Sequence, residues 1–178
     1  MNIWIALFRG INVGGNNIVP MAELRALMAR IGFEGAQTYI QSGNLVFASD
    51  LDAVDLKKEV VAAVEGKFGF APQLMLFSCA DLEAALAANP FTEAKADTKS
   101  LHLYFMETVP SDPDLEQMNS LKSRSEAFEL LDNIFYLHAP DGIGRSKLAA
   151  RAEKLLGVPA TGRNWRSATK ILELARAI

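Results

Sequence analysis

The order in which hydrophobic periods follow one another over the first ninety residues limits this chain to few folds. Apolar runs of strand length at Ile3–Arg9, Gln37–Gln41, Leu45–Ala48 and Gln73–Phe77 alternate with two segments, Pro20–Ile31 and Ala53–Phe68, whose apolar residues recur at helical spacing. In the first of these, Met21, Leu24, Leu27, Met28 and Ile31 make one stripe, with Pro20 suited to the first turn and Gly32 to the end. Ser42-Gly43-Asn44 has the length and composition of a tight hairpin, so the strands on either side of it are expected to pair antiparallel. The order is therefore β-α-β-β-α-β, with a short helix at Ala80–Ala88 after it.

A second pass follows. Strand Leu101–Glu107, helix Asp114–Lys122, strands Ala127–Leu131 and Ile134–His138 around a turn at Asp132-Asn133, helix Ser146–Leu156 and a closing helix Asn164–Ala177 complete the reading. Aligned on these elements, the first strands lie 98 residues apart and the hairpin turns 90, yet identity between the halves is negligible. Asn89–Thr98, with Asn89-Pro90 and several polar residues, is the expected linker. Since β-α-β-β-α-β is the split βαβ arrangement, the expectation is an α+β protein of two ferredoxin-like α/β-sandwich subdomains with antiparallel sheets. Residues 1–90 would form the first, and residues 91–178 the second with the closing helix.

Half of the 178 residues are apolar, enough to bury a core and to exclude disordered and fibrous classes. The longest apolar stretches, Ile3–Phe8 and Leu74–Phe77, fall far short of the roughly 18 residues of a membrane span, and no basic segment leads into a long apolar one as in a signal peptide. A soluble cytoplasmic protein without membrane contact is expected. Cys79 is the single cysteine and the two histidines are far apart, so neither a disulfide nor a zinc-type metal site is expected. The net charge of −3 conceals an asymmetry. Residues 145–178 hold eight Lys/Arg against Glu153 and Glu173, a balance of +6 that leaves −9 for residues 1–144 and suits an anionic partner.

Candidate site residues fall in three polar segments. Arg9-Gly10-Ile11-Asn12-Val13-Gly14-Gly15-Asn16-Asn17 leaves a strand and enters a helix, a geometry in which backbone N–H groups can hold an anion. It matches neither Gly-x-Gly-x-x-Gly nor the Gly-Lys-Ser/Thr ending of a P-loop, and a glycine-rich turn whose asparagines cap backbone groups needs no ligand. Arg9 ends a row of Ile3, Ile5 and Leu7 on one strand face, where it must pair with a carboxylate or take a ligand anion. Gln41, Ser42 and Asn44 surround the hairpin turn, and Gln41 ends an apolar strand as Arg9 does. In the third segment Thr161 or Asn164 can cap the last helix, and Trp165 is assigned to the core or to a contact between subdomains rather than to a stacking platform. Arg163 with Arg145, Ser146 and Lys147 would make a second anion-binding group at helix starts, where basic residues oppose the helix dipole and a bound anion would compensate them. His102 and His138 are read as structural, since neither has a nucleophile or carboxylate at a recognised spacing, and Cys79, at a strand-to-helix junction that could lower its pKa, is read as buried packing, the commoner fate of a lone cysteine.

Three of these stretches, Leu7–Asn17, Thr38–Asn44 and Thr161–Trp165, together with Gly144-Arg145-Ser146-Lys147, resemble the signature of the bacterial domain-of-unknown-function family numbered 1697. The combination is far more specific than any one piece and covers nearly the whole chain. The resemblance implies two ferredoxin-like subdomains and brings no activity, substrate or cofactor with it.

The expected function is binding of a small phosphate- or carboxylate-bearing ligand at the Gly/Asn-rich loop, with Arg9, Asn12, Gly14, Gly15, Asn16, Asn17, Gln41, Ser42, Asn44, Arg145, Ser146, Lys147, Arg163 and Asn164 as contacts and no residue assigned to catalysis. One alternative is a structural or interaction protein in which these residues lock the fold. The other is a nucleic-acid-binding module, weakened because Leu45-Val46-Phe47 lacks the Lys/Arg-Gly-Phe-x-Phe type of motif.

Overall fold

The computed structural model describes residues 1–178 and contains eight strands and six α-helices. By contacts the chain divides into two compact units, Met1–Ala84 with Thr169–Ile178, and Ala85–Ala168.

In the first unit the elements are β1 (Asn2–Arg9), α1 (Met21–Arg30), β2 (Glu34–Tyr39), β3 (Asn44–Ser49), α2 (Ala53–Phe68), β4 (Gln73–Ser78) and α3 (Cys79–Ala87), whose last residues pass into the second unit. The strands make one antiparallel sheet in the order β2-β3-β1-β4. β1 is central and buries Ile5, Ala6, Leu7 and Phe8 in succession, which is why its sequence is a continuous apolar run rather than an alternation. Leu24, Met28, Leu56, Val60 and Val64 from α1 and α2 pack on Ala6, Phe8, Leu45 and Phe47 from the sheet, and Phe33 stacks on Phe47 at 4.7 Å. Pro20 stands just outside α1 as its N-cap. At the other end Gly32 (φ +92) donates to the Ala29 carbonyl and Phe33 to that of Met28, a Schellman closure that buries Phe33. β2 starts earlier than its apolar pattern suggests because a bulge lies between Glu34 and Gln37, with Gly35 at φ +61. It also ends earlier, at Tyr39, since Ile40 turns to φ +49.

The second unit repeats the plan with β5 (Leu101–Met106), α4 (Leu115–Leu121), β6 (Ala127–Leu131), β7 (Ile134–His138), α5 (Lys147–Leu156) and β8 (Ala160–Asn164), in the sheet order β6-β7-β5-β8. Met118, Leu148, Ala152 and Leu156 pack on Met106, Phe135 and Leu137. α6 (Trp165–Arg176) follows, and most of it counts with the first unit.

Two antiparallel four-stranded sheets, each with helices, make this an α+β protein, as its element order implies. Besides the shifted bounds of β2, one whole element departs from expectation. Thr161-Gly162-Arg163-Asn164 is not the start of the last helix but part of β8, the edge strand that completes the second sheet. Its signal is masked by Gly162, which weakens strand propensity. Gly162 sits opposite Tyr104, and a Cβ there would meet that ring at 3.3 Å.

Candidate functional site

In the first unit the Gly/Asn run folds into a small hairpin. Val13 bridges Asn16 across Gly14 (φ +59) and Gly15 (φ +79), and all four residues are exposed. The Asn12 side chain holds this loop at its base. Its Nδ2 donates to the carbonyls of Val19 and Gln41, both at 2.9 Å, and its Oδ1 accepts from the Val19 N–H at 2.8 Å. Asn17 donates to the Gly10 carbonyl. Asn44 is buried and donates to the Tyr39 carbonyl and to Ser42 Oγ, both at 2.9 Å. Gly43 accepts from the Phe8 N–H at 2.8 Å. Asn12, Asn17, Gln41, Ser42 and Asn44 are thus brought into one neighbourhood, and the contacts of the asparagines hold backbone in place. Arg9 donates to Gln73 Oε1 at 2.7 Å across the β1–β4 pair, an amide where a carboxylate was one expectation.

In the second unit Arg145, Ser146 and Lys147 gather at the start of α5. Ser146 is the N-cap, its Oγ accepting from the Ala149 N–H at 2.9 Å. Beside them lies a cleft of about 620 Å³, whose wall also includes Lys122, Glu126 and Asp141. Glu126 is buried and accepts from the Ser123 N–H at 2.8 Å, while Asp141 accepts from the Ser125 hydroxyl. Burial, with a smaller push from the Glu126 charge, raises the Tyr104 phenol to about 12.

Arg163 and Asn164 stand apart from that cleft. Arg163 is buried within β8, where its Nη1 donates to Thr161 Oγ1 and to the Gly162 carbonyl, each at 2.8 Å. Burial pulls its guanidinium down to about 10, so it is still a cation at neutral pH. Its expected place at a helix start is therefore replaced by a sheet position, a consequence of the unforeseen strand. Asn164, not Thr161, caps α6, accepting from the Ser167 N–H at 2.8 Å. Trp165 is buried in the core, with the Lys95 ammonium 5.3 Å from its ring centre.

Burial acts on two further titratable side chains. Burial and Glu83 push the Cys79 thiol up, away from the thiolate a nucleophile needs. Burial pulls the His102 imidazole down, towards its neutral form. No group of three or more His, Cys, Asp or Glu side chains is gathered as a metal site, and no helix is long and apolar enough to cross a membrane.

Lys122, Ser120, Ser123, Glu126 and Asp141 lie in the cleft wall but were not singled out in the sequence. The available signal was Ser120-Leu121-Lys122-Ser123-Arg124-Ser125, a serine-rich basic stretch at a helix exit.

Among solved structures, the conserved bacterial protein SP0830 from Streptococcus pneumoniae is similar at 27% identity and a TM-score of 0.74, with 98% of each chain covered. No curated protein matches the chain. A family model described as "Protein of unknown function (DUF1697)" matches residues 1–136, well over half of the chain. By that match the chain belongs to the DUF1697 family of proteins of unknown function.

Proposed function

We propose that this protein binds a small phosphate- or carboxylate-bearing molecule, and that the binding site is the cleft at the start of α5. One observation carries the reading: Lys122, Arg145 and Lys147 share a cleft wall with a helix start whose first turn contains no acidic residue. A helix N-terminus carries about half a positive charge, so three cations beside it raise a local potential that an anion would relieve. The nearby carboxylates offset only part of it, because Glu126 and Asp141 are two negative charges against three positive ones and the helix start. Within the Gly/Asn loop the asparagine amides are turned to backbone carbonyls, which supports a second, structural reading for Asn12, Asn17 and Asn44. On that reading Arg9, Gly14, Gly15, Asn16, Gln41 and Ser42 frame a rigid loop rather than contact a ligand.

The test is thermal unfolding in sodium phosphate and in sodium citrate, each against sodium chloride at equal ionic strength. A ligand at 100 times its Kd adds about 2.7 kcal/mol to the folded state, a clear rise in Tm. The rise is expected to vanish in Arg145→Gln/Lys147→Gln and to persist in Arg9→Gln. A rise lost in Arg9→Gln and kept in the double variant would return the site to the loop. No rise with either anion would leave the structural reading.

A further inference from the structure

We propose that β6 is a docking strand, which pairs edge to edge with an extended segment of a partner protein carrying one basic residue between apolar ones. β6 stands at the outside of its sheet and pairs with β7 alone. The turn at Asp132-Asn133 has two residues, so the closing pair of Leu131 and Ile134 is hydrogen-bonded, and by alternation Phe128 and Leu130 turn their N–H and C=O groups outward. Natural sheets protect such an edge with a bulge, a proline, a lysine or a covering element. The other three edges show protection of this kind. β2 carries a bulge and has Ile178 packed at Gly35, and in β4 and β8 at least half of the residues are buried. β6 instead keeps an unbroken register from Ala127 to Leu131, with no lysine, no proline and no fully buried residue.

The residues of the strand decide what it accepts. Phe128 and Leu130 are half-buried on the face packed against the helices, with the Phe128 ring 5.5 Å from that of Phe135, and their outer flanks continue that apolar layer past the edge. Glu129 points to the other face by strand alternation and is exposed. Strand and turn together expose Glu129 and Asp132 and hold no basic residue, so the complement is positive. Opposite charges facing each other across a strand pair attract, and like charges destabilise it. A second copy of this chain is disfavoured on that ground, because antiparallel pairing of β6 with itself at full overlap sets Glu129 against Glu129 with Cα atoms about 4.5 Å apart. A register change that keeps the faces matched is two residues and loses part of the five-residue overlap. An apolar segment with a lysine or arginine opposite Glu129 meets no such repulsion, and its main-chain hydrogen bonds supply the affinity.

The experiment is NMR titration of the isotope-labelled full-length chain with two capped peptides, Thr-Val-Leu-Lys-Leu-Val-Thr and the same sequence with glutamate in place of lysine. The lysine peptide is expected to slow hydrogen exchange at the Phe128 and Leu130 amides. It should also bind about fivefold more tightly than the glutamate peptide, the upper end of what one cross-strand charge pair is worth. Glu129→Lys, at an exposed position, keeps the fold and should reverse the order of the two peptides. Equal binding of the two, or an order unchanged in the variant, would overturn the charge match with the partner. Protection of other amides in place of Phe128 and Leu130, or no binding at about 1 mM peptide, would overturn the docking strand itself. Protection of those two amides that appears without peptide and grows with protein concentration would give the edge to a second copy and overturn the proposal.

Discussion

α2 and α5 hold the same place in the two sheets' topologies and finish in the same way. Each ends on a left-handed glycine, Gly69 (φ +80) or Gly157 (φ +74), whose N–H returns to a glutamate carbonyl four residues back. They begin differently. Asp52 caps α2 with a carboxylate that accepts from the Val54 and Asp55 N–H groups, and Asp55 adds a second negative charge in the first turn. Ser146 caps α5 with a neutral hydroxyl between Arg145 and Lys147. The fold requires a cap, which either residue supplies; it does not require a charge. The charge at the start of α5 is thus not accounted for by capping.

A second pair of positions shows the same division. The end of the first strand is tied to the hairpin turn in both units, by Phe8 N–H to the Gly43 carbonyl at 2.8 Å and by Met106 N–H to the Asn133 carbonyl at 3.0 Å. The first unit adds the Asn12 amide, reaching from the loop to Gln41, whereas the second adds the Asn133 amide, reaching back to the Met106 carbonyl at 2.9 Å. The largest predicted effect tests this tie. Gly43→Ala places a Cβ 2.6 Å from Phe8 Cβ on a backbone at φ +73, so strain and overpacking together should cost about 3 kcal/mol or more in urea unfolding. Asn133→Ala, at the matching position, should cost about 1 kcal/mol, the worth of its side-chain hydrogen bond. Equal losses would break the comparison. Asn12→Ala removes three side-chain hydrogen bonds and should lower stability by about 2 kcal/mol; a loss below about 0.5 kcal/mol would remove the structural reading of the loop. Asp52→Ala should cost about 1 kcal/mol, an ordinary cap deletion, measurable as a shift in the urea midpoint. The smallest effect is the most discriminating: Ser146→Asp should raise stability by about 0.5 kcal/mol through the helix dipole and abolish the Tm rise in phosphate. If that variant is less stable than the parent and still responds to phosphate, the start of α5 is not an anion site.

Most of the fold was legible because it depends on local periods. The stripe of Met21, Leu24, Leu27 and Met28 and the continuous burial of Ile5–Phe8 are written directly into residue order. The spacings also survive in the structure: the tied strand ends, Phe8 and Met106, are 98 positions apart, and the turn residues Gly43 and Asn133 are 90 apart. β8 escaped because a five-residue edge strand with a glycine at its centre has no usable period, and its buried Arg163 is a residue type seldom found inside. The candidate site was half legible. Arg145, Ser146 and Lys147 stand out as basic residues around a helix cap, but Lys122, Glu126 and Asp141 reach the same cleft from other elements. Only tertiary folding brings such residues together, and no spacing records it.

The first unit takes its residues from both ends of the chain, since Thr169–Ile178 belong with Met1–Ala84. Ile178 even closes on Gly35, whose added Cβ would lie 2.8 Å from its side chain. At translation rates of roughly 5 to 20 residues per second, the 84 residues from Ala85 to Ala168 take about 4 to 17 s to make. Through that interval the first unit, its sheet already made, lacks its closing helical segment, which emerges only after the second unit's residues are complete, so the unit begun first is the one finished last.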